Sequence, residues 1–191
     1  GEKLLKKFLP ILITHTKDSD IYIIDNNSID NSIEYVKLNF PNVKLILLDK
    51  NYGFAEGYNK GLKNINTDVF CLLNTDVEVT ENWLDPIYKI FNTNDQISIA
   101  QPNILDYNNK NRFEYAGAAG GFIDFYGYPY CRGRIFDSIE ENNDQYNNNK
   151  LIFWASGACF FIRKNAWIRL KGFDNDFFAH FEEIDLCWRA F

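Results

Sequence analysis

The sequence has no methionine and no long apolar run, and its four cysteines form no CxxC pair. A helix that crosses a bilayer needs roughly 20 consecutive apolar residues, whereas apolar runs such as 45–48 and 151–154 have only the length of strands. Lys3, Lys6 and Lys7 interrupt the apolar residues that would form the core of a signal peptide. Cysteines this far apart favour reduced core thiols over a zinc site or a disulfide framework. The default expectation is a cytoplasmic protein.

Basic side chains are also in short supply. Twenty lysines and arginines stand against 26 acidic residues, which gives a formal charge of −6. This balance argues against a surface built to neutralise nucleic-acid phosphates or anionic lipid, so no nucleic-acid partner is expected. Any anionic ligand must therefore be held locally.

The 191 residues are 46% hydrophobic and 24% charged, which excludes disordered, collagen-like and coiled-coil classes and favours one folded domain. The lack of methionine, a first segment that resembles a helix and an apolar final segment together predict a fragment trimmed at both ends, without its first strand and its C-terminal part.

Strand-like and helix-like segments alternate in the first half of the chain. The pattern predicts helices over about 2–16, 28–40 and 51–65, with Pro10 bending the first, and strands over 21–24, 43–48 and 69–73. Such alternation at short spacing is typical of a parallel sheet with helices on both faces. Beyond it the pattern predicts a helix over 82–91, a strand over 97–100, hairpins within 112–136, a polar loop over 137–150 and a strand over 151–162.

Polar residues follow three of the predicted strands, at 25–28, 49–59 and 73–78. Ligands of open parallel sheets bind beyond the carboxyl ends of the strands. Taken singly, each stretch is typical of turns and caps. Taken together they predict one polar rim, where Asp76 follows an apolar strand and can reach a divalent cation that bridges a diphosphate.

Four stretches carry a resemblance to a known family, the family 2 inverting glycosyltransferases of the GT-A fold, and in particular their bacterial rhamnosyltransferase-like branch. They are Ile23-Ile-Asp-Asn-Asn-Ser28, Asn51-Tyr-Gly-Phe-Ala-Glu-Gly-Tyr-Asn59, Leu72-Leu-Asn-Thr-Asp-Val-Glu-Val79, and the stretch from Gly172 to Arg189. The resemblance implies an α/β fold with a mostly parallel central sheet and helices on both faces. It also implies one glycosyltransferase domain over 1–191, which moves a sugar from a nucleotide-diphosphate donor to an acceptor with inversion.

The resemblance also implies a donor site. Asp25 and Asn27 would face the base and the ribose of the nucleotide, and Asn51, Gly53 and Asn59 would line the same pocket. Glycine lets the backbone approach a ligand closely, and carboxamides supply both donors and acceptors.

The family carries Asp-x-Asp at its metal site, and this chain has Asn74 and Asp76 at the two positions. Asp76 is therefore the expected ligand of Mg²⁺ or Mn²⁺, and Asn74 is expected to touch the sugar or the ribose. The amide at position 74 leaves one anionic ligand where the family has two.

Inverting transfer needs a carboxylate that takes the proton of the acceptor hydroxyl as it attacks the anomeric carbon. The family places an aspartate there, and this chain has Glu183, with Asp185 as the rival. Asp185 could instead stabilise the start of the last helix. Glu182 is expected to be structural.

Trp154 and the turn around Gly157 resemble the acceptor side of the family, although a core tryptophan is a second interpretation. The resemblance further implies a saccharide or lipid-linked acceptor, surface polysaccharide synthesis, and peripheral association with the inner face of the membrane. Two other functions remain open. One is an inactive or carbohydrate-binding remnant of the fold, and the other is a sugar-1-phosphate nucleotidyltransferase, although no Gly-rich loop with Arg and Lys follows the first predicted strand.

Overall fold

Short helices and strands alternate along the first half of the chain, as the sequence pattern predicts. The computed structural model describes residues 1–191. Its helices are α1 (Glu2–His15), α2 (Ser32–Asn39), α3 (Gly53–Leu62), α4 (Asp85–Thr93), α5 (Lys164–Arg169) and α6 (Glu182–Ala190). Its strands are β1 (Tyr22–Asp25), β2 (Lys44–Leu47), β3 (Val69–Leu73), β4 (Ile99–Ala100), β5 (Gly121–Ile123), β6 (Pro129–Cys131), β7 (Arg134–Ile135), β8 (Ser138–Ile139) and β9 (Cys159–Arg163).

β1 and β2 form a parallel pair with helices on both faces. Successive side chains of a strand point to opposite faces of the sheet. Ile23 and Leu45 pack against α1 and α2. Ile24 and Ile46 pack into the main core, to which α3 contributes. The predicted placement of helices on both faces is confirmed for this pair.

The second sheet differs from the predicted, mostly parallel one. β9 lies between β3 and β4 and is antiparallel to both, so β1 and β2 are the only parallel pair. The fold is α/β with mixed sheets. The predicted strand over 151–162 begins only at Cys159 and extends to Arg163, because residues 154–158 form a bridge and a turn before it. β9 is the central strand of this sheet, and accordingly its residues Cys159–Ile162 are buried.

The Gly- and Tyr-rich region folds into a small antiparallel sheet in the order β5, β6, β7, β8. This confirms the hairpins predicted within 112–136. The predicted polar loop contains β8, which pairs with β7. Gly121 of β5 forms an isolated bridge with Trp154, which attaches this sheet to the segment that leads into β9.

α1 continues without interruption through Pro10, where a bend was predicted. The hydroxyl of Thr14 donates to the carbonyl of Pro10 (2.8 Å), one turn earlier. None of the helices combines the length and the apolar character that a membrane span requires.

Candidate functional site

The side chain of Asn26 connects the end of β1 to the start of α3. Its Nδ2 donates to the carbonyl of Gly53 (2.7 Å) and to Oδ1 of Asn51 (3.0 Å), and its Oδ1 accepts from the backbone N–H of Tyr52 (2.8 Å). The residue is half-buried. Asn26 was not singled out from the sequence, because three similar polar residues follow one another at 25–27 and only the fold distinguishes them.

Asn51 and Gly53 lie next to each other in this network. Oδ1 of Asn51 accepts the backbone N–H of Gly53 (2.9 Å). Gly53 has φ of 75°, and a Cβ there would lie 2.8 Å from both the ring and the carbonyl oxygen of Phe178. The glycine is therefore required by a left-handed backbone and by a protein neighbour, whereas the sequence suggested close approach of a ligand.

Phe178 holds the segment before α6 against the start of α3. Its carbonyl accepts the backbone N–H of Phe54 (2.9 Å). Nothing in the local sequence distinguishes Phe178 from Phe177 and Phe181, so this contact depends on the fold alone.

Asp25 and Asn27 are placed differently from each other. The Asp25 carboxylate is buried and accepts the backbone N–H of Ser28 (3.2 and 3.3 Å), which stabilises the turn after β1. Asn27 is exposed and has φ of 62°, a conformation that asparagine adopts more readily than most residues. Asn27 thus reaches the solvent beyond the strand end, whereas Asp25 shapes the turn.

The side chain of Asn59 hydrogen-bonds to other residues of the protein. Its Nδ2 donates to the carbonyl of Phe173 (2.8 Å) and to Oδ1 of Asn175 (2.7 Å), and its Oδ1 accepts the N–H of Phe173 (3.0 Å). The carboxamide that was expected to line the donor pocket thus anchors the segment that leads to α6.

Asn74 and Asp76 follow β3 directly. The N–H of Asn74 donates to the carbonyl of Ala158 (3.0 Å), which joins the end of β3 to the turn before β9. Asp76 is exposed, and its carboxylate makes no hydrogen bond or ion pair with the protein. No group of three or more His, Cys, Asp or Glu side chains could enclose a metal ion. A cation at Asp76 would thus need further ligands from a bound molecule.

Gly157 lies near the start of α3, because a Cβ on it would approach the ring of Phe54 to 3.5 Å. Trp154 is 6% exposed, its ring packs on Gly121, and its Nε1–H donates to the carbonyl of Phe122 (2.9 Å). Of the two interpretations of Trp154, this burial and hydrogen bond favour the core tryptophan over stacking on an acceptor sugar.

Glu182, which is buried, and Glu183, which is half-buried, begin α6 as two neighbouring carboxyl groups. Each has a buried Oε2 without a hydrogen-bond partner. Burial and, to a smaller extent, the neighbouring Glu182 raise the pKa of Glu183 to about 7. Glu182 is 4% exposed, and burial raises its pKa as well. An acceptor oxygen with a pKa near neutrality can take up a proton at physiological pH.

His180 and Phe181, the two residues before these carboxyls, both have positive φ (75° and 69°). Left-handed conformations of this kind cost of order 1–3 kcal/mol each and persist where surrounding contacts impose them. The contacts of Phe178 with α3 and of Asn59 with residues 173 and 175 supply that constraint. The position of Glu183 is thus fixed from α3.

Asp185 is paired within its own helix. Its Oδ2 lies 2.7 Å from Nη2 of Arg189, and that guanidinium also donates to the carbonyl of Gly172 (2.9 Å). This pairing favours the structural interpretation of Asp185, and of the two candidate bases Glu183 is the one without a partner.

A continuous set of contacts connects these elements. Asn26 contacts Gly53, the next residue Phe54 lies against Gly157, and the neighbouring Ala158 bonds to Asn74. The carboxyl ends of β1 and β3, the start of α3 and the turn before β9 therefore meet in one region. Such a region offers amides and one free carboxylate to a polar ligand, and the hydrogen bond of Phe54 with Phe178 attaches the segment before Glu183 to it.

The family model of glycosyl transferase family 2 matches residues 2–177. The chain belongs to this family. Among curated relatives, the chain is 23% identical over 205 residues to the N-acetylglucosaminyl-diphospho-decaprenol L-rhamnosyltransferase of Mycobacterium tuberculosis, covering 95% of this chain and 64% of the relative. It is 23% identical over 179 residues to the low-salt glycan biosynthesis hexosyltransferase Agl10 of Haloferax volcanii, covering 90% of this chain and 53% of the relative. The predicted family and its rhamnosyltransferase-like character are confirmed.

Solved structures of glycosyltransferases share the fold. GalNAc-T7 with UDP, GalNAc and Mn²⁺ superposes with a TM-score of 0.72 at 18% identity, over 100% of this chain and 38% of that one. A mannosyltransferase from Pyrobaculum calidifontis with GDP-Man and Mn²⁺ gives a TM-score of 0.60 at 13% identity, over 92% and 45% of the two chains. The predicted GT-A fold is confirmed. The chain spans between half and two thirds of the length of the two curated relatives.

Proposed function

We propose that this domain transfers a sugar, with inversion, from a nucleotide-diphosphate-sugar to a saccharide or lipid-linked saccharide in the synthesis of a surface polysaccharide. One observation carries the proposal: the Asn26 network, the free carboxylate of Asp76 and the turn at Gly157 lie in one region. Glu183, which has a carboxylate oxygen without a partner, follows the segment that contacts α3. Relatives named as rhamnosyl- and hexosyltransferases support the same activity.

The donor nucleotide would lie at the carboxyl ends of β1 and β3. Asn27 and Asn51 are exposed there and offer carboxamides to a base edge or a ribose hydroxyl. Asp25 and Asn26 would act on the donor indirectly, by holding the turn and the α3 loop in place. Asn74 is half-buried beside them and would contact the sugar or the ribose.

Asp76 fits a Mg²⁺ or Mn²⁺ ion that the donor diphosphate shares. Mg²⁺ in nucleotide sites commonly uses one or two carboxylates together with phosphate oxygens and waters. The single free carboxylate of Asp76 matches that pattern, and GalNAc-T7 and the Pyrobaculum mannosyltransferase each contain Mn²⁺ together with a nucleotide or nucleotide sugar. The ion would offset negative charge that develops on the leaving diphosphate.

Glu183 would act as the general base. In the direct displacement, the acceptor hydroxyl attacks the anomeric carbon while the bond to the diphosphate breaks, and the hydroxyl proton passes to the free carboxylate oxygen of Glu183. No protein group donates to Oε2, so the hydrogen-bonding capacity of that oxygen is unused. The negative charge of the neighbouring Glu182 raises the pKa of Glu183.

The acceptor would approach from the side of Gly157, where a lipid-linked acceptor requires contact with a membrane. The β5–β6 hairpin projects from the Gly121–Trp154 bridge, and its tip carries Phe125, Tyr126 and Tyr128 with 97%, 82% and 70% exposure. Aromatic side chains of this kind favour the interface between water and lipid. Peripheral association with the inner face of the membrane, in the cytoplasm, is thus part of the proposal.

A transfer assay tests the activity. The protein is incubated with UDP-, GDP- and dTDP-sugars, Mn²⁺, and diphospho-polyprenol-linked N-acetylglucosamine, and the products are followed by mass spectrometry with NMR of the new anomeric centre. A β product from an α donor, or the reverse, supports inverting transfer. Saccharide binding without nucleotide affinity would indicate a carbohydrate-binding domain, and pyrophosphate release from a nucleoside triphosphate would indicate a nucleotidyltransferase.

A further inference from the structure

A small cavity lies on the antiparallel sheet formed by β5 to β8. It has a volume of about 230 Å³, and no residue of the candidate functional site lines it. Pockets for drug-sized ligands commonly have roughly 300–1,000 Å³, so this cavity suits a ligand with a single ring. We call it the sheet pocket, and its lining includes Phe122, Tyr130, Arg132, Glu140 and Tyr146.

Phe122 and Tyr130 give the sheet pocket an apolar wall. They lie directly opposite each other in the register of β5 and β6, and their ring centroids are 5.6 Å apart with 24° between the ring planes. Tyr130 is 41% exposed, and Ile135, which also lines the pocket, is 58% exposed. The pocket is therefore open to solvent. An open pocket of this size accommodates one unit of a longer chain, because the rest of the chain continues outside it.

Arg132 brings unused hydrogen-bond donors to the sheet pocket. Its Nε donates to the carbonyl of Ala119 (2.9 Å), and its guanidinium carbon lies 4.9 Å from the centre of the Tyr146 ring. These two contacts orient the guanidinium. Its Nη1 and Nη2 make no hydrogen bond or ion pair with the protein, so the donors of both atoms remain available.

Glu140 brings an unused acceptor to the same pocket. Its Oε2 accepts from the hydroxyl of Tyr146 (2.8 Å) and from Nε2 of Gln145 (3.2 Å), which orients the carboxylate, and its Oε1 has no protein donor. Arg132 and Glu140 thus line one small cavity with opposite charges and form no ion pair with each other. Each keeps hydrogen-bonding capacity for a ligand in the pocket.

An uncharged sugar ring matches this combination of groups. The C–H groups on the faces of a pyranose pack against the negative face of an aromatic ring. Its hydroxyls both donate and accept, so they pair with the Arg132 donors and with the free Glu140 oxygen. A phosphate or carboxylate ligand is disfavoured, because it would lie near the negative charge of Glu140.

We propose that the sheet pocket binds one neutral sugar residue of the acceptor, away from the hydroxyl that is glycosylated. The carbonyl of Phe122 accepts the indole N–H of Trp154 (2.9 Å), and Trp154 precedes the turn at Gly157 by three residues. Three residues span at most roughly 11 Å, so a short segment connects the sheet pocket to the candidate acceptor side. The assignment of the sugar to the acceptor rests on the proposed transferase function, whereas the binding of a neutral sugar does not.

An NMR titration without nucleotide tests the binding. The isotope-labelled chain is titrated with the methyl glycosides of glucose, N-acetylglucosamine and rhamnose. We expect at least one of them to cause saturable shifts of the Arg132 Nε–H and of the backbone amides of Gly133 and Glu140. Tyr130→Ser and Glu140→Gln should each weaken this binding at least fivefold. Tyr88→Ser is the control and should leave it unchanged, because Tyr88 has the same 41% exposure but lies on α4.

The absence of saturable shifts with all three glycosides would overturn the proposal, as would shifts confined to the residues around Asn74 and Gly157. Equal binding of methyl glucuronide or of inorganic phosphate would overturn the assignment of a neutral ligand. Circular dichroism checks the fold of each variant. Glu140 is exposed, so Glu140→Gln keeps the test decisive if Tyr130→Ser proves unfolded.

The transfer assay then tests whether the bound sugar belongs to the acceptor. Tyr130→Ser should raise KM for an acceptor of several sugars at least fivefold more than it raises KM for a single-sugar acceptor. An equal effect on both acceptors would contradict an acceptor subsite. Glycoside binding at the sheet pocket without transfer from any donor would reject the proposed function and support the saccharide site alone.

Discussion

The side-chain amide of Asn26 donates to the backbone carbonyl of Gly53 at 2.7 Å, which fastens the end of β1 to the first turn of α3. Asn26 makes two further hydrogen bonds, to Asn51 and Tyr52. Asn26→Ala removes all three and leaves half-buried groups unpaired, which should lower the free energy of unfolding by about 1–3 kcal/mol. Urea unfolding measures the effect, and titration with nucleotide should show weaker binding because the α3 loop is released.

Asn148→Ala is the matched control, because Asn148 is exposed and its side chain makes no hydrogen bond. Its stability should change by less than about 0.5 kcal/mol. Equal losses for the two variants would show that the Asn26 network does not stabilise the site.

Gly53→Ala tests the contact between α3 and Phe178. The substitution places a Cβ at positive φ and 2.8 Å from the Phe178 ring and carbonyl. Gly127 separates the two effects, since its φ is 90° and no atom lies within 4 Å of its added Cβ. Gly127→Ala should cost only the backbone strain, about 1 kcal/mol, and Gly53→Ala should cost at least twice as much in denaturant unfolding. Similar costs at both positions would argue against close packing of Phe178 on Gly53.

Local patterns predicted the elements of the first half well. The strand over 69–73 has the predicted bounds, because an apolar run is closed on both sides by polar residues. The direction of β9 could not be predicted in this way, because strand pairing joins residues about 90 positions apart and local sequence is compatible with either direction. The late start of β9 could not be predicted from local sequence either. The apolar and small residues from Trp154 to Ala158 are compatible with a strand and with a buried turn.

The candidate site was predictable as a set of strand ends and less so residue by residue. Asp76 was recognisable because a lone carboxylate follows an apolar strand. Asn59 and Trp154 were assigned to ligands because their side chains can hydrogen-bond or stack, and the structure uses those same capacities for Phe173 and Phe122. The burial of Glu183 depends on how the preceding segment packs on α3, which no local pattern encodes.

Asp76→Asn tests the shared metal ion. Because Asp76 is the only free carboxylate at the end of β3, Mn²⁺ alone should bind weakly, and Mn²⁺ with a nucleoside diphosphate should bind much more tightly. The substitution should reduce the enhancement of nucleotide affinity by Mn²⁺ at least tenfold in calorimetry, with little effect on affinity measured in EDTA. Asp137→Asn, at an exposed aspartate without side-chain partners, should behave as the unmodified protein. An undiminished Mn²⁺ effect in Asp76→Asn would place the metal elsewhere.

The aromatic hairpin tip predicts binding to lipid vesicles. Replacement of Phe125, Tyr126 and Tyr128 by serine removes large exposed apolar surfaces without touching the core. Co-sedimentation with vesicles of phosphatidylethanolamine and phosphatidylglycerol should fall at least fivefold, while transfer to a short water-soluble acceptor stays unchanged. Ile135→Ser, at another exposed apolar residue outside the tip, serves as the control. Unchanged sedimentation of the triple variant would exclude the tip as the membrane contact.

The pH dependence of the reaction should follow Glu183. Burial raises its pKa to about 7, and a general base must be deprotonated, so kcat/KM should rise as the pH increases through about 7. Glu183→Gln should lower transfer by about 10²–10⁴-fold and abolish this rise. Glu183→Asp keeps the carboxylate and should recover part of the activity that Glu183→Gln loses. A purely structural role of the side chain does not predict this recovery.

Stability should change in the opposite direction to activity. A carboxyl group whose pKa is higher in the folded than in the unfolded chain binds more protons when folded, so its contribution to stability falls as the pH rises from about 4.5 to about 7. Each unit of pKa shift corresponds to about 1.4 kcal/mol. Glu183→Gln carries no charge, so relative to the unmodified protein it should gain stability at pH 8 compared with pH 5. Urea unfolding at the two pH values measures the difference, and a parallel loss in both proteins would show that Glu183 titrates as an ordinary exposed carboxyl.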